Sequence, residues 1–237
     1  MDLKDLSIIV PTRNEAAGIA QCLHRIVAAC PGAEVLVVDG GTDTTESVVK
    51  GVTTQNASVR YIRNVGDRGK GHAIQTGILN ASRSILVQID GDLQFLPEEI
   101  PRLVAPIVER SADMVLGVRF AVGSQRYEWS TPWHRSLGNK LISLYTSLLL
   151  GQSFCDVLAG MKAWRKEVTQ SFRVESDTYS YEAELVAKAV RYGWRVCEAP
   201  ITTEPRRTGT SSVRVFKVGL QLLRDIAYFR FQPRATR

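Results

Sequence analysis

Apolar and polar positions along this chain switch repeatedly between two rhythms. Residues 7–10, Ser7 followed by the apolar run Ile8-Ile9-Val10, read as a buried strand stopped by Pro11. Over 17–29 the apolar residues Ile19, Leu23, Ile26 and Val27 fall at helical spacing, and Pro31-Gly32 closes that helix. The pattern then repeats: strand 34–39, Gly40-Gly41, helix 44–52, strand 59–63, a glycine-punctuated turn over 66–71 and a helix over 73–81. A fourth strand spans 84–89, a helix 97–110 and a fifth strand 113–118. Such alternation predicts an α/β fold, a mainly parallel sheet sandwiched by helices and joined by right-handed crossovers.

After Arg119 the rhythm lapses. Residues 120–133 mix Gly, Ser, Pro and aromatics without a period and predict a long mobile loop, flanked by Trp129 and Trp133. Residues 135–150 read as an apolar helix interrupted by Asn139, Lys140, Ser143, Thr146 and Ser147. It is too short to span a bilayer; it either packs on the core, the favoured reading, or lies on a membrane. A segment at 160–164, a helix over 181–192 and a strand over 195–201 follow. An amphipathic helix over 213–231 carries basic residues on its polar side. With neither repeat nor low-complexity linker, residues 1–212 form the main domain. Residues 213–237 are a basic C-terminal helix, packed on that domain or associated with a membrane.

Composition narrows the class. The 237 residues carry 23% charged side chains and a net charge of +6, ordinary for a soluble globular protein. The polar N-terminus does not resemble a secretory signal, and Cys22, Cys30, Cys155 and Cys197 are scattered, as core thiols in a reducing, cytoplasmic compartment would be. The charge is uneven: from Glu204 onward eight Arg and Lys face only Glu204 and Asp225. That basic tail calls for an anionic partner, either phosphate ligands or acidic lipid headgroups. Nucleic acid is not expected, because no recognition motif accompanies the charge.

The densest chemistry is Asp90-Gly91-Asp92-Leu93-Gln94. It follows the fourth strand, where open parallel sheets keep their ligand crevice. On a continuing strand Asp90 and Asp92 would point to one side and repel unless a cation lay between them. Hard divalent cations take oxygen ligands and leave positions for substrate phosphates. The pair is therefore either a metal–diphosphate site or a solvated acidic turn. His24, His72 and His134 lack metal-ligand spacing.

Nine stretches in order carry a resemblance: IIVPTRNE, VVDGGTDTT, GDRGKGHAIQTGI, VQIDGDLQFLPEEI, DMVLGVRF, HRSLGNKL, DVLAGMKAWRKEV, YEAELVAKAVRYGWRVCEAPI and RRTGTSSV. Together they resemble the GT-A-fold, inverting glycosyltransferases of family 2, in particular the polyprenyl- and dolichyl-phosphate sugar synthases. The resemblance implies a GT-A nucleotide-sugar-binding fold. It implies a metal-dependent enzyme that moves mannose or glucose from a GDP- or UDP-hexose to a polyprenyl phosphate at the cytoplasmic membrane face, alone or with a membrane subunit. By that resemblance Pro11, Arg13 and Glu15 line the base pocket, and Asp39 accepts from base or ribose. Asp92 and Gln94 hold Mg²⁺ or Mn²⁺, with Asp90 shared between cation and ribose. Lys70 either bonds the nucleotide or faces solvent. Arg119 and Arg135 match the acceptor-phosphate arginines, Asp156 lies near the sugar, and Arg206 belongs to a loop that closes on the diphosphate. Glu182 and Glu184 either orient that loop or form a solvated helix face, the latter preferred.

Two departures stand out. One Asp, Asp39, occurs where the family usually has two, and Ser212 replaces an expected lysine. Two other functions stay open: the same fold acting on a soluble acceptor, with Asp156 as base, and a non-catalytic nucleotide-sugar-binding subunit.

Overall fold

The computed structural model describes residues 3–126, 133–205 and 215–232. β1 (Leu6–Thr12), β2 (Glu34–Asp39), β3 (Val59–Arg63), β4 (Ile85–Gln88), β5 (Met114–Val118), β7 (Lys162–Arg165) and β8 (Val196–Pro200) build a seven-stranded sheet in the order β3-β2-β1-β4-β7-β5-β8. All its pairings are parallel except those of β7, which runs antiparallel to both neighbours. The central strands are buried on both faces, and so read as apolar runs without alternation. Edge strand β3 is exposed at Arg60 and Arg63.

Helices cover both faces. α1 (Ile19–Ala29), α2 (Thr45–Gln55) and α4 (Ile100–Val108) close one core around Ile8, Val10, Val35 and Val37. α3 (Lys70–Asn80), α5 (Trp133–Leu150), the short α6 (Lys166–Gln170), α7 (Tyr181–Arg191) and α8 (Val215–Phe231) close the other, around Ile9, Leu36, Leu86 and Trp164. The expected helix over 97–110 is a 3-10 turn at Pro97–Glu99 followed by α4. The antiparallel β7 falls in the segment over 160–164 that sequence periodicity left without a direction.

The chain visits β1, β2 and β3 in one direction, then returns to place β4 on the other side of β1. The reversal opens a crevice at the carboxyl ends of β1 and β4, where ligands of open α/β sheets bind. A second, two-stranded sheet pairs β6 (Gln125–Arg126) with β9 (Thr202–Thr203). Thus the described part of the expected loop over 120–133 is partly strand; its centre lies outside the described residues. α8 docks by Leu222, Ile226 and Phe229, with Ser180 donating to Asp225 and Arg230 to the Leu149 carbonyl.

α3 packs on β1 at Gly77, where an added Cβ would stand 2.4 Å from Cγ2 of the fully buried Ile9. Overpacking of about 1–3 kcal/mol should outweigh the helix-propensity gain of about 1 kcal/mol. Gly77→Ala is therefore expected to lower the urea midpoint at unchanged m-value; a raised midpoint would contradict this packing.

Candidate active site

Two groups of polar side chains meet at the crevice. The first gathers where β1 and β2 end. Asp39 is 1% exposed and accepts from Thr12 Oγ1, the Gly41 amide and the Tyr61 hydroxyl, with the Arg63 guanidinium 3.5 Å away. Asn14, at φ 60°, turns the chain out of β1 and accepts from the amides of Thr42 and Asp43. Asp43 accepts from the Thr45 amide and hydroxyl and from the Ala16 amide; burial opposes its charge, yet these bonds hold its carboxyl below the usual range. Pro11 and Glu15 are half-buried beside this turn, and Arg13 projects into solvent.

Sequence reasoning missed Asp67 here. Gly40 and Gly41 cannot carry side chains: a Cβ on Gly41 would meet the Asn14 amide nitrogen, and one on Gly40 would lie 2.4 Å from the Asp67 carboxylate carbon. Asp67 thus brings a carboxylate to the position where the resemblance expects a second Asp. Its Oδ1 accepts from Asn64 and the Gly69 amide, and Oδ2 lies 3.7 Å from Arg13. The glycine-rich turn over 66–71 was the available signal.

The second group is a buried charge cluster. α3 begins at Lys70, three residues earlier than its apolar pattern suggests. Gly69 at φ 133° lets the chain turn tightly against Asp177. Lys70 therefore does not face solvent. Its ammonium lies 2.7 Å from Asp90 Oδ1, 3.0 Å from Oδ2 and 2.9 Å from Glu182 Oε1. Burial opposes that charge, but the two carboxylates outweigh burial and hold the pKa well above its usual value. Glu182 is 4% exposed on α7, 3.7 Å from the fully buried Lys162, and accepts from the Tyr181 hydroxyl. Glu184 is fully buried and accepts from the amides of Glu175 and Ser176 and from Lys188. Neither glutamate belongs to a solvated helix face.

Arg119, directly after β5, forks onto Asp156 with Nε at 2.6 Å from Oδ2 and Nη2 at 2.9 Å from Oδ1, and its amide adds a third bond. Asp156 is 0% exposed. Burial lowers the Arg119 pKa, but Asp156, then Glu182 and Asp90, raise it above its usual value. The Phe120 ring has two cations near it, Arg119 at 5.3 Å and Lys140 at 5.5 Å from its centroid. Arg135 lies on the first turn of α5, with its side chain outside the described residues; Arg206 lies outside them altogether.

Between these groups lie Asp90 and Asp92. β4 ends at Gln88, and the chain turns through Gly91 with Leu93 at φ 60°, so the expected strand register does not continue. Asp92 is 3% exposed and accepts from the Gln94 amide, which excludes a solvated acidic turn. Gly160 leaves the space that Asp90 fills: a Cβ there would meet Asp90 Oδ2 at 2.2 Å. Burial pushes the Asp90 carboxyl up against the pull of Lys70, and Asp92 and Glu182 push the same way. Its Oδ1 is buried without an aligned hydrogen bond, despite the nearby ammonium. Among the described residues no group of three His, Cys, Asp or Glu is gathered to hold a metal. The donors present suit a cation that takes one or two carboxylates and fills its remaining positions with substrate phosphate oxygens.

The family model for glycosyl transferase family 2 matches residues 7–172. The chain belongs to glycosyl transferase family 2. It is 32% identical to polyprenol monophosphomannose synthase of Mycolicibacterium smegmatis, covering 87% of this chain and 80% of that one. It is 31% identical to undecaprenyl-phosphate mannosyltransferase of Micrococcus luteus, covering 86% of each. Dolichol-phosphate mannosyltransferase of Pyrococcus furiosus is 29% identical over 88% of this chain, which spans 59% of that relative. Glucosyl-3-phosphoglycerate synthase of Mycobacterium tuberculosis, solved with UDP, superposes at TM-score 0.74 and 20% identity, covering 97% of this chain and 81% of that one. The same enzyme with Mn²⁺, UDP and phosphoglyceric acid superposes at TM-score 0.70 and 21% identity, covering 94% and 76%. This family 2 glycosyltransferase therefore has the GT-A fold.

Glu182 decides the charge balance of the cluster. Glu182→Gln leaves Lys70, Lys162 and Arg119 facing only Asp90 and Asp156, and removing one partner of a buried pair costs about 3–5 kcal/mol. Burial alone would raise the Glu182 pKa, but Lys162 and Lys70 hold it below its ordinary 4.5. Its contribution is thus complete above that value and drains away as pH falls through the lower folded value. Urea unfolding at several pH values should show a less stable variant near neutrality, with the gap to wild type narrowing below about pH 4.5. A constant gap would contradict this.

Proposed function

We propose that the chain transfers a hexose, mannose or glucose, from a GDP- or UDP-hexose to the phosphate of a polyprenyl or dolichyl phosphate, inverting the anomeric centre. The observation that carries this reading is the commitment of Asp156. A hydroxyl acceptor loses a proton as it attacks, which calls for a base. Asp156, the candidate base, is 0% exposed with both oxygens held by Arg119. A phosphate monoester is already an anion near neutral pH and attacks without one. It needs cationic forks that fix its oxygens, and Arg119 and Arg135 are assigned that work, with Asp156 holding Arg119 in position. The lipid-phosphate acceptors in the names of the relatives support the same choice.

On the donor side, Pro11, Arg13, Glu15 and Asp39 border the end of the crevice assigned to base and ribose. Asp90, Asp92 and Gln94 would hold Mg²⁺ or Mn²⁺ against the diphosphate. When bound, that cation supplies charge withdrawal from the departing nucleoside diphosphate. Lys70 fixes Asp90 and offers a second cation to the same region. The Glu204 amide bonds the Gln94 carbonyl and Thr203 bridges Phe95, so the chain leading to Arg206 starts beside this turn. Arg206 is assigned to the diphosphate. Among the described residues no helix is long and apolar enough to cross a membrane. The lipid acceptor implies work at the cytoplasmic face of a bilayer as a peripheral protein, alone or beside a membrane subunit.

A transfer assay with GDP-mannose and UDP-glucose in turn, Mg²⁺ or Mn²⁺, and a polyprenyl phosphate in detergent tests this. Label should enter the lipid phase with one donor and be lost with EDTA; metal-dependent donor binding without lipid product would instead indicate a soluble acceptor. Asp92→Ala should lower turnover more than about a hundredfold with the fold intact. Arg135→Ala should raise the acceptor KM roughly ten- to a hundredfold and leave donor affinity unchanged. Equal loss on both sides would remove the acceptor assignment.

A further inference from the structure

α5 is built inside out. The face it turns to the core carries Ser143, 1% exposed, and Thr146, 0% exposed. Their hydroxyls are occupied: Ser143 accepts from the Val157 amide and Thr146 donates to the Ile142 carbonyl. The opposite face carries Leu137, Leu141, Leu144 and Leu148, 50–75% exposed and spaced by four, three and four residues. The helix packs on the core as the sequence favoured, through Ile142, Tyr145, Leu149 and Leu150, yet four of its six leucines leave the core. A stripe of four leucines outside and hydroxyls inside is the reverse of a soluble surface helix. A contiguous exposed apolar face of this kind marks an interaction surface.

We propose that this leucine face of α5 is the surface by which the protein lies on an anionic lipid bilayer. The charge around it fits that occupant. Lys140 is exposed on α5 itself, between Leu137 and Leu141, and the adjoining α8 carries Arg224, its side chain 85% accessible although 3.7 Å from Asp225. Apolar residues inserted at the acyl boundary, with cations at the headgroups, are the pattern of interfacial helices. α8, which also carries exposed apolar residues (Leu220, Tyr228 and Phe231), is joined to the end of α5. Arg230 bonds the Leu149 carbonyl, and the exposed Leu148 and Phe231 are each one residue from that bond. The other end of the stripe reaches the cationic group at Arg119, Phe120 and Lys140. An acceptor held there by its phosphate would have its hydrocarbon chain in the layer that α5 rests on. The inference rests on the lipid-acceptor reading above, and its test separates the two.

The full chain is sedimented with vesicles of phosphatidylcholine and phosphatidylglycerol lacking any acceptor, and transfer is measured separately on a short, water-soluble prenyl phosphate. Wild type should pellet with the vesicles. Leu144→Ser/Leu148→Ser and Leu144→Glu/Leu148→Glu, checked for native circular dichroism, should bind at least about tenfold more weakly while transferring to the soluble prenyl phosphate at the wild-type rate. Wild type left in the supernatant, or variants that pellet equally, would overturn the proposal. So would a wild-type dimer in light scattering that the variants convert to monomer, which would assign the face to a second copy of the chain. Vesicle binding that behaves as expected, with no transfer to the prenyl phosphate by wild type, would support the docking face and strike the acceptor assignment alone.

Discussion

The structure depends on how it balances charge at the sheet's carboxyl edge. Lys70, Lys162 and Arg119 meet Asp90, Glu182 and Asp156 there, each mostly or fully withdrawn from water. Such clusters are weak contributors to stability, because desolvation consumes most of the Coulombic gain. Their value here is positional. The six side chains come from α3, the turn after β4, the end of β5, the loop after α5, β7 and α7. They tie together six segments whose apolar residues already meet in the core beneath, among them Ala73, Val118, Val157, Trp164 and Tyr181. Negative charge is in excess beside the cluster: Asp92 adds a further carboxylate that pushes the Asp90 pKa up, and Asp90 Oδ1 makes no aligned hydrogen bond although the Lys70 ammonium is 2.7 Å away.

The topology explains why the cluster sits there. Reversal of strand order between β1 and β4 opens the sheet at one end. The glycines at 40, 41, 69 and 160 let backbone and carboxylates approach where a Cβ would collide. The two-stranded β6–β9 pairing and the Phe95–Thr203 bridge then bring the chain back beside Gln94. The Asp39 group and the Lys70–Asp90–Glu182 cluster thereby both lie at the carboxyl edge of the sheet, where the proposed transfer would bring two substrates together.

Much of this was legible in the sequence because it rests on local pattern. Strands β1 to β5 and helices α1 to α3 follow from apolar periodicity and from Pro and Gly punctuation. What periodicity could not carry was long-range. The antiparallel insertion of β7 depends on pairing with β4 and β5, which no local signal encodes. The start of α3 at Lys70 depends on Gly69 meeting Asp177, more than a hundred residues away. Glu182 and Glu184 look like a solvated pair on a helix, and only the arrival of Lys70, Lys162 and Lys188 makes their burial affordable. The thiols are mixed: burial pushes Cys22 and Cys30 up to about 12, as expected of core residues, but Cys155 is exposed. In α5 the expected packing on the core holds through Ile142, Tyr145, Leu149 and Leu150, but which leucines face outward was not legible. Ser and Thr satisfied by neighbouring backbone can enter a core and leave leucines outside.

The central claim is that a phosphate oxygen, and not a deprotonated hydroxyl, is the nucleophile at this site. The most direct measurement is the structure of the product by ¹H, ¹³C and ³¹P NMR. The account predicts a single phosphodiester linking the anomeric carbon to the lipid phosphate, with carbon–phosphorus coupling at C1 and configuration inverted relative to the donor. A glycosidic bond to a hydroxyl, or a phosphodiester with retained configuration, would contradict it.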